Sequence, residues 1–264
     1  MAHKNKSNLS PMKSHQGSRH KKPKQIFTLN EANDRLQDIF RNHEFSHITH
    51  EQRLKLAHFY CLLMANQEKE NMTRLLTLRD VAIRHFIDCL IVPQFVDLQF
   101  PLLDIGTGPG FPGIPLKILF PEKRIILAEG VQRRVEFLKK VREELKLPKL
   151  DIIGRNINPY FAYPVQGVIT RAVEDIRNTL LNTLTCLQTG GCVYFMKGPN
   201  VDPEIPLAEK EVGEYFKLEK DIAYTLPHTE HHRRLLVYRK IKMAPLPDFD
   251  EEPWPGENVG ESDD

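Results

Sequence analysis

Through the first third of the chain apolar residues recur at helical spacing; beyond it they gather into short runs separated by turns. Residues 31–43 carry Leu36, Ile39 and Phe40 at i, i+3 and i+4, which predicts a helix. Thr49 stands three residues before Gln52 and just ahead of Leu54, Leu56, Phe59, Leu62 and Leu63, a capping-box signature for a helix over about 50–69. Val81, Ile83, Phe86, Ile87 and Leu90 predict a third over about 79–92. From residue 100 the pattern alternates. Strands are expected at 100–105, 124–129, 150–153, 167–170 and 192–196. Helices are expected at 113–120, 131–146 (stripe Val131, Val135, Leu138, Val141) and 173–189, with Gly190-Gly191 as a turn. Two late strands, 221–226 and 235–240, have no helix between them. Strand–helix units followed by a hairpin predict a mostly parallel, seven-stranded, Rossmann-like α/β sheet with an antiparallel C-terminal hairpin. The expected organisation is a basic tail over 1–27, a helical cap over 28–95, an α/β domain over 96–243 and an acidic tail over 244–264.

The charge distribution adds one point. The net charge of +2 over 264 residues hides seven cations and no acid in residues 1–25, and eight acids and no base in residues 244–264. Both tails are poor in apolar residues and are expected to be disordered; the basic one suits phosphate. The chain has no apolar run near the ~20 residues of a membrane span and no signal-peptide core, so a cytoplasmic protein without a membrane partner is expected. Cys61, Cys89, Cys186 and Cys192 have no metal-ligand spacing, and the adjacent His231 and His232 would point to opposite faces of a strand, so no metal is expected.

Candidate chemistry concentrates in residues 102–115, Leu-Leu-Asp-Ile-Gly-Thr-Gly-Pro-Gly-Phe-Pro-Gly-Ile-Pro. A strand runs into Gly106, Gly108 and Gly110 and then into a helix, the arrangement by which α/β proteins hold a nucleotide-like cofactor. Gly108 to Gly113 fits G-x-G-x-x-G, a weak dinucleotide signal by itself. Asp104 extends it to D-x-G-x-G-x-G, which favours S-adenosylmethionine. Glu129, at the end of the next apolar run, can accept both hydroxyls of a ribose in either kind of protein. The late hairpin also suits S-adenosylmethionine-dependent methyltransferases of class I better than nicotinamide-dependent oxidoreductases, which remain the alternative.

Roughly residues 30–242 resemble the bacterial 16S ribosomal RNA guanine-N7 methyltransferase family, RsmG or GidB. The resemblance rests on Asn71-Met-Thr-Arg, Arg79-Asp80, Arg84-His85-Phe-Ile-Asp88, Leu103 to Leu116, Glu129 with Arg133-Arg134 and Phe137-Leu138, Thr170-Arg171-Ala172, and Met196-Lys197-Gly198. It implies a methyltransferase acting on N7 of a guanine in 16S ribosomal RNA, free or in the small ribosomal subunit. It implies that Gly106, Gly108, Gly110 and Phe111 face the methionine end of the cofactor, that Glu129 takes the ribose, and that Asn156 and Ile157 flank the adenine. Arg171 is implied to contact cofactor or substrate, in place of a surface ion pair with Glu174 or Asp175. Arg74, Arg79, Arg84, His85, Arg133, Arg134, Lys197, Arg233 and Arg234 are candidates for RNA contact. One departure stands out: where the family has R-x-E, this chain has Arg155-Asn156-Ile157. That leaves a further alternative, an RNA-binding module of weak activity on the same fold. Asn158-Pro159-Tyr160-Phe161 reads as a turn, not as the [D/N]-P-P-[F/Y] motif of amine methylation.

Overall fold

A computed structural model of the chain describes residues 22–23, 25–171 and 173–244. Most of both expected tails therefore lies outside the described residues. Helix α1 (Leu29–Asn42) opens on a Thr28–Glu31 capping box. Helix α2 (His50–Glu70) opens on the Thr49–Gln52 box read from the sequence. Asn71, in the left-handed region at φ 47°, caps the end of α2. A helical run follows: α3 (Leu78–Val81), a π-helical turn (Ala82–Ile87), α4 (Asp88–Leu90) and α5 (Val92–Phe95). The single helix expected over 79–92 is thus interrupted. Single π turns inside α-helices occur frequently at functional sites, and this one carries Arg84 and His85.

The sheet has the order β3-β2-β1-β4-β5-β7-β6. Its parallel members are β1 (Leu102–Ile105), β2 (Ile125–Ala128), β3 (Leu150–Ile153), β4 (Val165–Arg171) and β5 (Leu187–Lys197). Strand β7 (His232–Lys240) runs antiparallel between β5 and β6 (Phe216–Thr225). This is the class I S-adenosylmethionine-dependent methyltransferase architecture expected from the sequence. Strands β1 and β2 are buried along their whole length, as central parallel strands covered on both faces are. Strand order reverses between β1 and β4, so the carboxyl ends of β1, β2 and β4 open a crevice at a topological switch point.

Two apolar clusters flank the sheet. One joins the helical cap, α6 (Gly113–Leu119) and α7 (Gln132–Glu144) to one face; the other packs α8 (Ile176–Asn182) and α9 (Glu204–Val212) on the opposite face. The cap therefore shares its core with the α/β part. Phe59 of α2 binds them together, with its ring 5.1 Å from Phe111, 6.1 Å from Phe86 and 6.4 Å from Phe137.

Several elements differ from expectation. Helix α8 covers only 176–182 of the expected 173–189. Asp175 is its N-cap, and the buried Lys240 ammonium donates to the Leu184 and Leu187 carbonyls, where β5 already begins. Gly190-Gly191 lies inside β5 beside an irregularity in its pairing with β4. Helix α9 was not visible in the sequence, because it buries only Ala208 and Val212, too few for an apolar stripe. Strand β6 begins at Phe216 rather than 221; a register shift between Leu218 and Lys220 breaks the alternation that would reveal it. Val131 precedes α7 and is exposed, outside the stripe assigned to it.

Candidate active site

The site starts from the turn after β1. Gly106, Gly108 and Gly110 have φ of 63°, 60° and 112°, values that exclude most side chains. A Cβ on Gly106 would lie 2.6 Å from Val173, whereas one on Gly108 would meet nothing within 4 Å, so the open side of the turn is at Gly108. Asp104 holds the turn from below. Its Oδ2 accepts from Thr107 Oγ1 (2.6 Å) and the Gly113 amide (2.7 Å), while its buried Oδ1 has no partner among the described residues. Burial pushes this carboxyl up to about 7, against the pull of those two hydrogen bonds.

The native state therefore binds a proton at Asp104 that the unfolded chain has released above about pH 4, and stability falls as pH rises from about 4 to about 7. We expect the melting temperature of the parent to drop between pH 5 and pH 8 relative to an Asp104→Asn chain, measured by calorimetry in parallel. Parallel pH profiles for the two chains would refute the assignment.

Glu129 follows β2 and is buried. Its Oε1 accepts from the Val131 amide (2.8 Å), and its Oε2 lies 3.6 Å from Arg134. Asn156 is exposed beside it and packs against Gly130, where a Cβ would collide with the Asn156 amide. Ile157, the next residue, buries its side chain in the apolar cluster on the α8 face.

Arg171 ends β4 and gathers the cap onto the crevice. Nη1 lies 3.3 Å from Asp88 Oδ2 and from the Arg84 carbonyl, and Nη2 lies 2.9 Å from His85 Nδ1. The guanidinium carbon stands 5.3 Å from the centre of the Phe111 ring, and the His85 ring stacks on Phe111 at 4.2 Å. A guanidinium only donates, so His85 Nδ1 accepts, and the ring proton belongs on Nε2, facing Thr73 Oγ1 at 3.0 Å. Burial and the Arg171 charge hold His85 well below the ordinary imidazole pKa, hence neutral. Thr73 is fixed in turn by Gln67, fully buried, which bonds both its amide and its carbonyl. On the far side, Asp88 Oδ1 accepts from Arg233 Nε at 2.9 Å.

The remaining predicted residues divide. Arg84 is exposed, with no carboxylate partner among the described residues. Arg133 lies 3.6 Å from Glu70. Lys197 is tied to the Glu174 carbonyl and the Glu204 carboxylate, and Arg234 to Asp202 and Asp221, so both cations are already compensated. Arg171 does not form the alternative surface pair with Glu174 or Asp175; its carboxylate partner is Asp88. Among the described residues no group of three or more His, Cys, Asp or Glu could hold a metal ion.

Residues 52–236 match the family model described as rRNA small subunit methyltransferase G. The chain belongs to that family. It is 66% identical over 233 residues to ribosomal RNA small subunit methyltransferase G 2 of Bdellovibrio bacteriovorus, covering 88% of this chain and 91% of that one. It is 43% identical over 183 residues to the protein of the same name from Syntrophobacter fumaroxidans, covering 69% of this chain and 37% of that longer one. Among solved structures, an S-adenosylmethionine-dependent O-methyltransferase from Thermotoga maritima aligns with TM-score 0.45 at 14% identity, over 60% of this chain and 66% of that one. No helix among the described residues is long and apolar enough to cross a membrane.

Asp88 and Thr73 lie within the family motifs, but their sequence positions point to no function. Asp88 is the buried carboxylate joining Arg171 to Arg233, and Thr73 orients His85. The available signal was weak: an acid one turn after His85 on an otherwise apolar helix.

Proposed function

We propose that this chain transfers a methyl group from S-adenosylmethionine to N7 of a guanine in small-subunit ribosomal RNA, free or within the subunit, in the cytoplasm. The crevice fits the donor. The reading is supported by a positive-φ turn with an open side at Gly108 and by the Glu129 carboxylate at the neighbouring strand end, groups whose chemistry suits its amino-acid and ribose ends. When bound, it supplies a methyl group made electrophilic by its sulfonium.

In this reading the backbone from Gly106 to Phe111 holds the methionine end, Glu129 accepts from the ribose hydroxyls, and Asn156 flanks the adenine. Arg171 faces the acceptor and orients it; His85, neutral, positions Arg171 through Nδ1 and through its stack on Phe111. Arg84, Arg133 and Arg233 border the mouth on the RNA side.

One observation carries the choice of N7. The groups beside Arg171 are unsuited to remove a proton or to attack a base. His85 has both nitrogens engaged, Asp88 lies between two guanidiniums, and Cys89, 3.9 Å from Arg171, is a buried thiol whose pKa burial pushes far up. Guanine N7 has a free lone pair and no proton to lose, so a new N–C bond forms as the S–C bond breaks without a general base. Positioning and electrostatics suffice. The antiparallel strand inserted between β5 and β6 leaves the nicotinamide alternative without structural support.

The deciding experiment is a map of N7-methylguanine in ribosomal RNA from a strain lacking the gene. One guanine of the small-subunit RNA should lose its methyl group and regain it when the gene is restored. An identical map in both strains would overturn the proposal.

A further inference from the structure

A cavity of about 510 Å³ lies in the helical cap, outside the crevice. Its floor is apolar, with Phe27, Ile39 and Leu78. Its rim carries Arg35 and Arg79. Arg35 lies over the Phe27 ring at 4.6 Å, and Arg79 is exposed at the start of the helical run that continues to Arg84 and His85. Asp38, the acid of this groove, is paired with Arg41 at 2.9 Å.

The distribution of ion pairs sets this region apart. In the α/β part eight of the ten arginines (Arg124, Arg133, Arg134, Arg171, Arg177, Arg233, Arg234 and Arg239) have a carboxylate within 4 Å, and among the described residues Arg142 and Arg155 have none. Among the described residues Arg35, Arg74, Arg79 and Arg84 of the cap have none. Uncompensated guanidiniums are costly to bring together unless an anion joins them, and their planar fork matches a phosphate.

We infer that the groove between α1 and the start of α3 is a second RNA-contact site, taking a nucleotide of the substrate RNA at a distance from the methylated base. The apolar floor receives the base, and Arg35 and Arg79 bind the phosphates on either side of it. Arg84 continues the basic track toward the crevice. The volume is of the order that binding pockets have for small ligands. This site rests on the reading of the protein as an RNA methyltransferase, and it assigns that enzyme a means of holding RNA independent of donor binding.

The test uses the full chain with Arg35→Glu and Arg79→Glu together. A control chain of equal net charge carries Lys140→Glu and Lys210→Glu, both on exposed positions of α7 and α9. Affinity for a fluorescent single-stranded fragment of small-subunit ribosomal RNA is followed by anisotropy across a salt series, beside calorimetry with S-adenosylmethionine and methyl transfer to the same RNA. The groove variant should bind RNA about tenfold more weakly. Its log-affinity against log-salt slope should shrink by about 1.4, the value for two single-strand phosphates. Donor affinity should equal that of the parent, which also shows that the variant is folded. Unchanged RNA affinity and slope, or an equal loss in the control chain, would overturn the groove. A parent that binds RNA through these arginines yet transfers no methyl group would refute the enzymatic reading and leave the groove standing. A parent that binds no RNA would refute both.

Discussion

Asp88→Ala will melt far below the parent. The carboxylate is 4% exposed and holds Arg171 at 3.3 Å and Arg233 at 2.9 Å, which are themselves only 16% and 22% exposed. Its removal leaves two guanidiniums facing each other where water reaches them poorly. Breaking a buried pair by deleting one partner costs about 3–5 kcal/mol. For a fold of this size each kcal/mol shifts the midpoint by roughly 2–4 °C, so a drop of about 6–20 °C is expected by differential scanning calorimetry at pH 7. Asp88→Asn keeps the shape and one acceptor, and should fall between the two. A midpoint within about 3 °C of the parent for the alanine chain would show that Asp88 does not join cap to sheet. Loss of the joint should also reduce methyl transfer, because His85 and the Arg84 carbonyl meet Arg171 only while the cap is seated.

Glu129→Ala will weaken S-adenosylmethionine binding by about ten- to a hundredfold, since hydrogen bonds to a charged group are worth ~1.5–3 kcal/mol each. Titration calorimetry reads this directly. In the free protein the Glu129 carboxylate is held by the Val131 amide and lies near Arg134, so it is oriented before a ligand arrives. Glu129→Gln keeps the acceptor oxygen and loses the charge; it should recover part of the affinity. Donor affinity equal to that of the parent in the alanine chain would remove Glu129 from the ribose position.

These two residues mark how legible the site was. Glu129 could be read in advance because its position follows from local rules: an apolar run of strand length, an acid at its end, and a glycine turn after the preceding strand. Asp88 could not be assigned a function, because its partners lie 83 and 145 residues away along the chain. Lys197 and Arg234 read as free cations in the sequence for the same reason. Their acids, Glu204, Asp202 and Asp221, reach them only through the packing of α9 and the β6–β7 hairpin. Ile157 was legible as a motif position, while the burial of its side chain in the cluster on the α8 face came only with the packing of the sheet.

The amino-acid sequence alone determined the order of the seven strands and of the helices other than α9, the antiparallel close of the sheet, the α2 capping box and the glycine turn. Each of these depends on side-chain period or on backbone sterics within a few residues. Tertiary structure alone decided which charges are compensated: Arg171 locked between Asp88 and His85, Arg234 neutralised, Arg35 and Arg79 beside a groove with no carboxylate within 4 Å among the described residues. Electrostatic pairing depends on separation in space, and a one-dimensional pattern does not contain that distance.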